Sequence, residues 1–97
     1  MIRGLQPWLE PYASYLVRFF PTLRVTSVFR SYSQQLELYR NRANNPFPVL
    51  PPGRSRHQYG RAWDMSGPRR DLEHAGRVWE SWGGRWGGVV DPIHFEA

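Results

Sequence analysis

Of the three histidines in this 97-residue sequence, two stand among polar residues that could do chemistry together. His57 lies in Ser55-Arg56-His57-Gln58-Tyr59-Gly60-Arg61-Ala62-Trp63-Asp64, ahead of a carboxylate. His94 lies in Asp91-Pro92-Ile93-His94-Phe95-Glu96, three residues after one. Two neutral imidazoles and a carboxylate are a workable ligand set for zinc, which takes three protein donors in catalytic sites and leaves the fourth position to water. Such a water drops in pKa to about 7 and attacks at neutral pH. A neighbouring carboxylate then takes the proton as general base and passes it to the leaving group. Asp91 suits that task if His94 is a ligand. The parts fit metal-assisted hydrolysis of a carbonyl bond, although residue types alone leave a solvated or core histidine equally open.

The flanking pattern predicts the elements that must carry these residues. Leu5, Trp8, Leu9, Tyr12, Tyr15, Leu16 and Phe19 recur at three- and four-residue steps, the apolar stripe of a helix. Pro11 implies either a kink or a start near that residue, and Pro21 ends it. Residues 23–30 alternate and read as a strand. Ser31 with Gln34 is a capping-box pattern opening a second helix over about 32–42. Residues 44–56 hold four of the nine prolines and read as an extended loop. Residues 61–66 read as a short strand, and 68–82 as a third helix with Leu72, Ala75, Trp79 and Trp82 on its buried face. Four of the nine glycines fall in 83–88, a turn or a close backbone approach, and 89–97 is β-branched enough for a last strand. This order predicts a small single-domain α+β fold over 1–97. An antiparallel or mixed sheet packs against about three helices, with the candidate zinc site at the sheet.

Composition narrows the class further. With no cysteine, neither a disulfide nor a thiolate metal site can staple so short a chain. No apolar run reaches the roughly 18 residues of a membrane span, so no stable membrane insertion is expected. Pro7, Glu10 and Pro11 interrupt any secretory signal. The net charge of +5 comes entirely from 13 arginines against 8 acidic residues. They are scattered from Arg3 to Arg85, with no run longer than Arg69-Arg70, so no nucleic-acid partner is expected. An anionic envelope polymer accounts for the charge equally well.

Four segments together resemble the zinc D-alanyl-D-alanine peptidase family, which includes carboxypeptidases of VanY type, dipeptidases and the L-alanyl-D-glutamate endopeptidases of phage endolysins. The pattern S-x-H-x-x-G-x-A-x-D matches at Ser55, His57, Gly60, Ala62 and Asp64, and D-x-x-H-F-E follows downstream. Thr26-Ser27-Val28-Phe29-Arg30-Ser31 with Gln34-Gln35 and Leu38-Tyr39 is similar to the family's strand–arginine–helix segment. Gly83-Gly84-Arg85-Trp86 is similar to its turn before the last strand.

The resemblance implies one catalytic zinc ion held by His57, Asp64 and His94, with Asp91 as general base. It implies that Arg30 holds the oxyanion, that Ser55 hydrogen-bonds substrate, and that Trp86 lines the cleft. It further implies a monomeric hydrolase of peptidoglycan stem peptides. Aspartate at position 91 with the His-Phe-Glu ending leans toward an L-alanyl-D-glutamate endopeptidase of endolysin type. The alternatives are a D-alanyl-D-alanine carboxypeptidase or dipeptidase, in which Arg54 and Arg56 would receive a terminal carboxylate, and a non-catalytic wall-binding relative. The short span from Asp64 to His94 implies an open cleft. Without a signal or a wall-binding module, the expectation is a protein made in the cytoplasm that reaches the wall after release, as phage lysins do. His74, beside Asp71 and Glu73, reads as a solvated side chain. Glu96 shares the strand face of His94 and is a candidate to orient a ligand or bind a substrate amine.

Overall fold

The structure, a computed structural model, describes residues 2–97. Among them three α-helices and a four-stranded antiparallel sheet follow in the order α1 (Glu10–Phe19), β1 (Arg24–Ser27), α2 (Tyr32–Arg40), β2 (Ala62–Ser66), α3 (Arg69–Ser81), β3 (Arg85–Trp86) and β4 (His94–Glu96). Short 3-10 turns span Arg42–Asn44 and Arg56–Tyr59. The strand order β1-β2-β4-β3 leaves β2 and β4 at the centre.

Successive side chains of a strand point to opposite faces, and the register sorts this sheet into a dry face and a chemical face. Trp63 pairs with Phe95, and both point with Met65 into the core with Leu9 at the start of α1, Ala13 and Leu16 within it, and Leu72, Ala75 and Trp79 of α3. Trp63 stacks on Phe95 with centroids 5.6 Å apart and meets Trp79 edge-on at 5.2 Å. Rings of this size bury about 150–250 Å² each, worth about 4–6 kcal/mol of transfer free energy at about 25 cal/mol per Å². Asp64 pairs with His94 on the opposite face, one residue out of phase with the core.

Local signals explain most boundaries. Pro11 falls in the first turn of α1, where its missing N–H is no loss, so the helix starts at Glu10 instead of kinking. Ser31 and Gln34 close the capping box that opens α2. Three expectations are corrected. The last strand is confined to His94–Glu96, because Val89 and Val90 lie in an exposed turn. β3 forms at Arg85–Trp86, where only a turn was expected, by pairing with β4. Trp82 is 41% exposed instead of core, and of the α1 stripe only Leu9 and Leu16 are buried, while Trp8, Tyr12, Tyr15 and Phe19 stay about half exposed. No helix among the described residues is long and apolar enough to cross a membrane.

Candidate metal centre

The segment 55–64 folds as a unit that explains its own spacing. Ser55 Oγ accepts from the His57 backbone N–H at 3.3 Å and caps the turn that carries the histidine. Gly60 ends that turn in the left-handed region at φ 66°, where a Cβ would also press on the Gly4 carbonyl at 2.9 Å. Ala62 is fully buried at the start of β2, and Asp64 follows two residues later on the same face.

His57 is 2% exposed, and its Nδ1 donates to the Val28 carbonyl at 2.5 Å. That bond puts the ring proton on Nδ1 and leaves the Nε2 lone pair facing Asp64 Oδ1 at 3.3 Å. This buried Nε2 has no hydrogen-bond partner among the described residues. His94 shows the mirror arrangement. Its Nε2 meets Glu96 Oε1 at 2.8 Å; with the proton of the neutral ring on that nitrogen, the Nδ1 lone pair faces Asp64 Oδ1, also at 3.3 Å.

Two acceptors at that separation repel unless a cation lies between them. A proton can bridge one gap, whereas a metal ion satisfies all three donors. Donors about 2.0–2.1 Å from a tetrahedral zinc lie about 3.3–3.4 Å apart, which matches both nitrogen–oxygen distances. The three donors all lie within 4.8 Å of one another. The nitrogen and oxygen set, its burial and the orphaned Nε2 therefore fit zinc.

The charges around the triad are tuned. Burial acts first on Asp64 and would raise its pKa, but the hydrogen bonds and positive charge that His57 and His94 offer when protonated outweigh it and hold the carboxyl well below the ordinary range. Burial likewise disfavours the His94 cation, yet the carboxylates of Asp64 and Glu96 raise its pKa above 6.5. Arg30 donates through Nη2 to Asp64 Oδ2 at 2.9 Å and through Nε to Ser27 Oγ at 3.1 Å. A bulge in β1 puts Ser27 in register with Asp64 and so brings that hydroxyl to the site.

Asp64, His94, Arg30, Ser55 and Asp91 line one cleft, walled on its far side by the proline-rich loop through Phe47 and Leu50. Burial raises the pKa of Asp91, with the Asp64 charge adding to it against the pull of His94. Asp91 is held there by a tight turn. A Cβ at Gly87 would lie 2.1 Å from the Asp91 carbonyl oxygen, so only glycine permits the approach. Trp86 does not line this cleft. Its indole covers Gly76 of α3 and donates to the Pro92 carbonyl at 2.7 Å, and it borders a smaller adjoining hollow with Arg85 and His94. His74 lies outside the site, exposed and edge-on to Phe20.

Gln35 entered the sequence reading only as part of the helix segment that resembles the family, without a role, yet it is 1% exposed and belongs to the site. It accepts from Arg30 Nη1 at 3.1 Å and donates to the Leu50 carbonyl at 2.7 Å, joining the guanidinium to the cleft wall. A glutamine on the inward face of a short helix with few apolar residues was the available signal.

The fold has counterparts among known proteins. The family model for VanY, D-alanyl-D-alanine carboxypeptidase, matches residues 18–82. The LdcB LD-carboxypeptidase superposes with a TM-score of 0.73 at 20% identity, covering 96% of this chain and 65% of its own. The L-Ala D-Glu endopeptidase ChiX of Serratia marcescens gives 0.71 at 23% identity, covering 97% of this chain and 80% of its own. A vancomycin-resistance D,D-pentapeptidase VanY, solved in complex with Zn(II), gives 0.69 at 19% identity, covering 95% and 71%. At these identities the likeness is one of fold, and this chain spans about two thirds of the length of the LdcB protein. Among curated proteins none matches this sequence.

Proposed function

The chain belongs to the VanY family of D-alanyl-D-alanine carboxypeptidases, and from that premise we propose that it is a zinc peptidase cleaving an L-alanyl-D-glutamate bond in peptidoglycan stem peptides. The observation that carries the reading is the convergence of His57 Nε2 and His94 Nδ1 on Asp64 Oδ1 inside a cleft that also holds Asp91 and Arg30. The peptidase domain comprises the described residues, and the polymer it acts on lies in the cell wall.

His57, Asp64 and His94 would hold one zinc ion, which supplies Lewis acidity to polarise the scissile carbonyl and acidify a water. Asp91, which lines the same cleft, accepts the proton of the attacking water and returns it to the leaving amine. Arg30 spends three N–H groups on Ser27, Gln35 and Asp64. Its remaining two N–H groups serve the oxyanion that develops on the substrate. The Ser55 hydroxyl accepts from the His57 backbone, which leaves its own proton for a substrate carbonyl.

One contact favours the endopeptidase over a carboxypeptidase. A terminal carboxylate needs a free cation, but Arg56 is committed to Glu96 at 2.6 Å and to the Ala97 carbonyl at 3.3 Å. Arg54 is exposed and does not line the cleft. Digestion of intact peptidoglycan, with and without chelator, and mass spectrometry of the products test the proposal. Peptides with a new amino-terminal D-glutamate, formed only without chelator, are expected. Release of free D-alanine would assign the carboxypeptidase reaction instead.

A further inference from the structure

Glu96 engages the ring nitrogen of His94 that does not face Asp64. It follows His94 by two residues in β4, so both side chains leave the same face of the sheet. Its two oxygens have different partners. Oε1 accepts from His94 Nε2 at 2.8 Å, and Oε2 meets Arg56 Nε at 2.6 Å. Arg85, its cross-strand neighbour in β3, adds a looser contact at 3.9 Å.

A neutral imidazole has two tautomers of similar energy, and only one of them offers Nδ1 as a donor. A carboxylate at Nε2 demands the proton there and so selects the tautomer whose Nδ1 lone pair faces Asp64 Oδ1. His57 receives the same service from the neutral carbonyl of Val28, at its opposite nitrogen. The two histidines therefore present opposite ring atoms to one point, and each is fixed by a different acceptor. Arg56 adds a second link, because it directly precedes His57 in the 3-10 turn. The chain His94–Glu96–Arg56 thus ties the strand of one imidazole to the turn that carries the other.

We propose that Glu96, clamped by Arg56, is a positioning residue of the metal centre that fixes the tautomer and orientation of His94. The proposal rests on the zinc reading above. It gives the His-Phe-Glu ending a physical role, since one oxygen of the glutamate is engaged by the histidine and the other by Arg56.

Zinc affinity, measured by competition with a chromophoric chelator on the purified full chain, tests it alongside histidine ¹⁵N NMR of the zinc-loaded protein. Glu96→Ala is expected to weaken zinc binding about 10–100-fold, the usual cost of losing such a partner. Glu96→Gln keeps an acceptor oxygen and should recover part of that loss, and Arg56→Gln should fall between Glu96→Gln and wild type. In the wild-type NMR spectrum, His94 should carry its proton on Nε2. Circular dichroism of each metal-free variant separates a lost fold from a lost ligand, and Glu96→Gln and Arg56→Gln decide the matter if Glu96→Ala unfolds. Unchanged zinc affinity in folded Glu96→Ala, equal losses in Glu96→Ala and Glu96→Gln, or a His94 proton on Nδ1 would overturn the proposal. A wild-type protein that binds no zinc overturns the functional reading itself, and that failure is seen before any variant is compared.

Discussion

His57 Nε2 and Asp64 Oδ1 face each other at 3.3 Å inside the protein, although the ring's proton is already committed to the Val28 carbonyl at 2.5 Å. Burying two acceptors against each other costs free energy in the metal-free fold, and a cation held between them returns it. The same ion would bridge the turn at His57, the central strand at Asp64 and the last strand at His94. In a chain with no disulfide, that is the available staple.

Zinc should therefore stabilise the fold measurably. At free zinc 100 times its Kd, the expected gain is about 2.7 kcal/mol. For a domain of this size each kcal/mol moves the Tm by about 4–8 °C. Thermal melts with zinc, with chelator, and with zinc restored should show that shift and its reversal. His57→Ala and Asp64→Asn should each remove it.

The metal-free protein has its own pH dependence. Asp64 is held below its ordinary value, so its contribution is present above the unfolded pKa of 3.8 and is lost as pH falls through the folded one. His94 is raised, so its contribution is complete below 6.5 and is lost as pH rises through the folded pKa. Without metal, stability should peak in the mildly acidic window between them. Zinc competes with the His94 proton, so the zinc-dependent increment should instead grow as pH rises. Melting curves across pH with chelator and with zinc check both slopes, and parallel profiles would contradict the ligand assignment.

How much of this was readable in advance follows from the range of the interactions involved. Ser31 with Gln34, Pro11 and Gly60 act within a turn, so the start of α2, the start of α1 and the end of the His57 turn were legible from neighbours in sequence. The pairing of Asp64 with His94 spans 30 residues; residue types offered two histidines and a carboxylate as one workable ligand set, and only the resemblance to a family singled these three out. Val89 and Val90 have strand-forming side chains but no strand beside them, so propensity misled there. Gln35 was given no role, and Trp86 was expected in the cleft that it only adjoins, for a related reason. Gln35 is buried by a loop contact 15 residues away, and Trp86 fills the space left by Gly76, which no local pattern reveals.

Asp91→Asn separates chemistry from fold. As general base, Asp91 should be worth about 10²–10⁴ in kcat. Its raised pKa means that the ionised form is less favourable folded than unfolded. That penalty is present above the folded pKa and is relieved as pH falls through it. The amide variant should thus lose kcat at pH 7 while keeping its zinc affinity and a Tm no lower than wild type. A variant that keeps wild-type turnover would remove Asp91 from the mechanism.

Gly87→Ala should damage the same step without replacing a charged residue. The new Cβ would meet the Asp91 carbonyl oxygen at 2.1 Å and the Asp91 Cβ at 2.9 Å, so the 87–91 turn must move. Overpacking of this kind costs about 1–3 kcal/mol. Denaturant melts should register that loss, and kcat should drop toward the Asp91→Asn level while zinc still binds. Unaltered kcat would mean that the turn does not set the position of Asp91.

Arg30 and Gln35 form the last testable pair. The guanidinium is fixed by Ser27, Gln35 and Asp64, and Gln35 in turn is pinned to the Leu50 carbonyl at 2.7 Å. Lysine at position 30 keeps the charge but loses the planar fork, so it can hold Asp64 or the oxyanion but not both. Losing one oxyanion donor costs about 10²–10³ in kcat, and Arg30→Lys should show that loss with little change in KM. Gln35→Leu leaves Arg30 Nη1 and the Leu50 carbonyl without partners, a cost of about 1–3 kcal/mol in stability. If Gln35 serves catalysis through Arg30, the double variant should be no slower than Arg30→Lys alone. Kinetics of the two single variants and the double variant measure that coupling directly, and additive losses in kcat would show that Gln35 serves the substrate by another route.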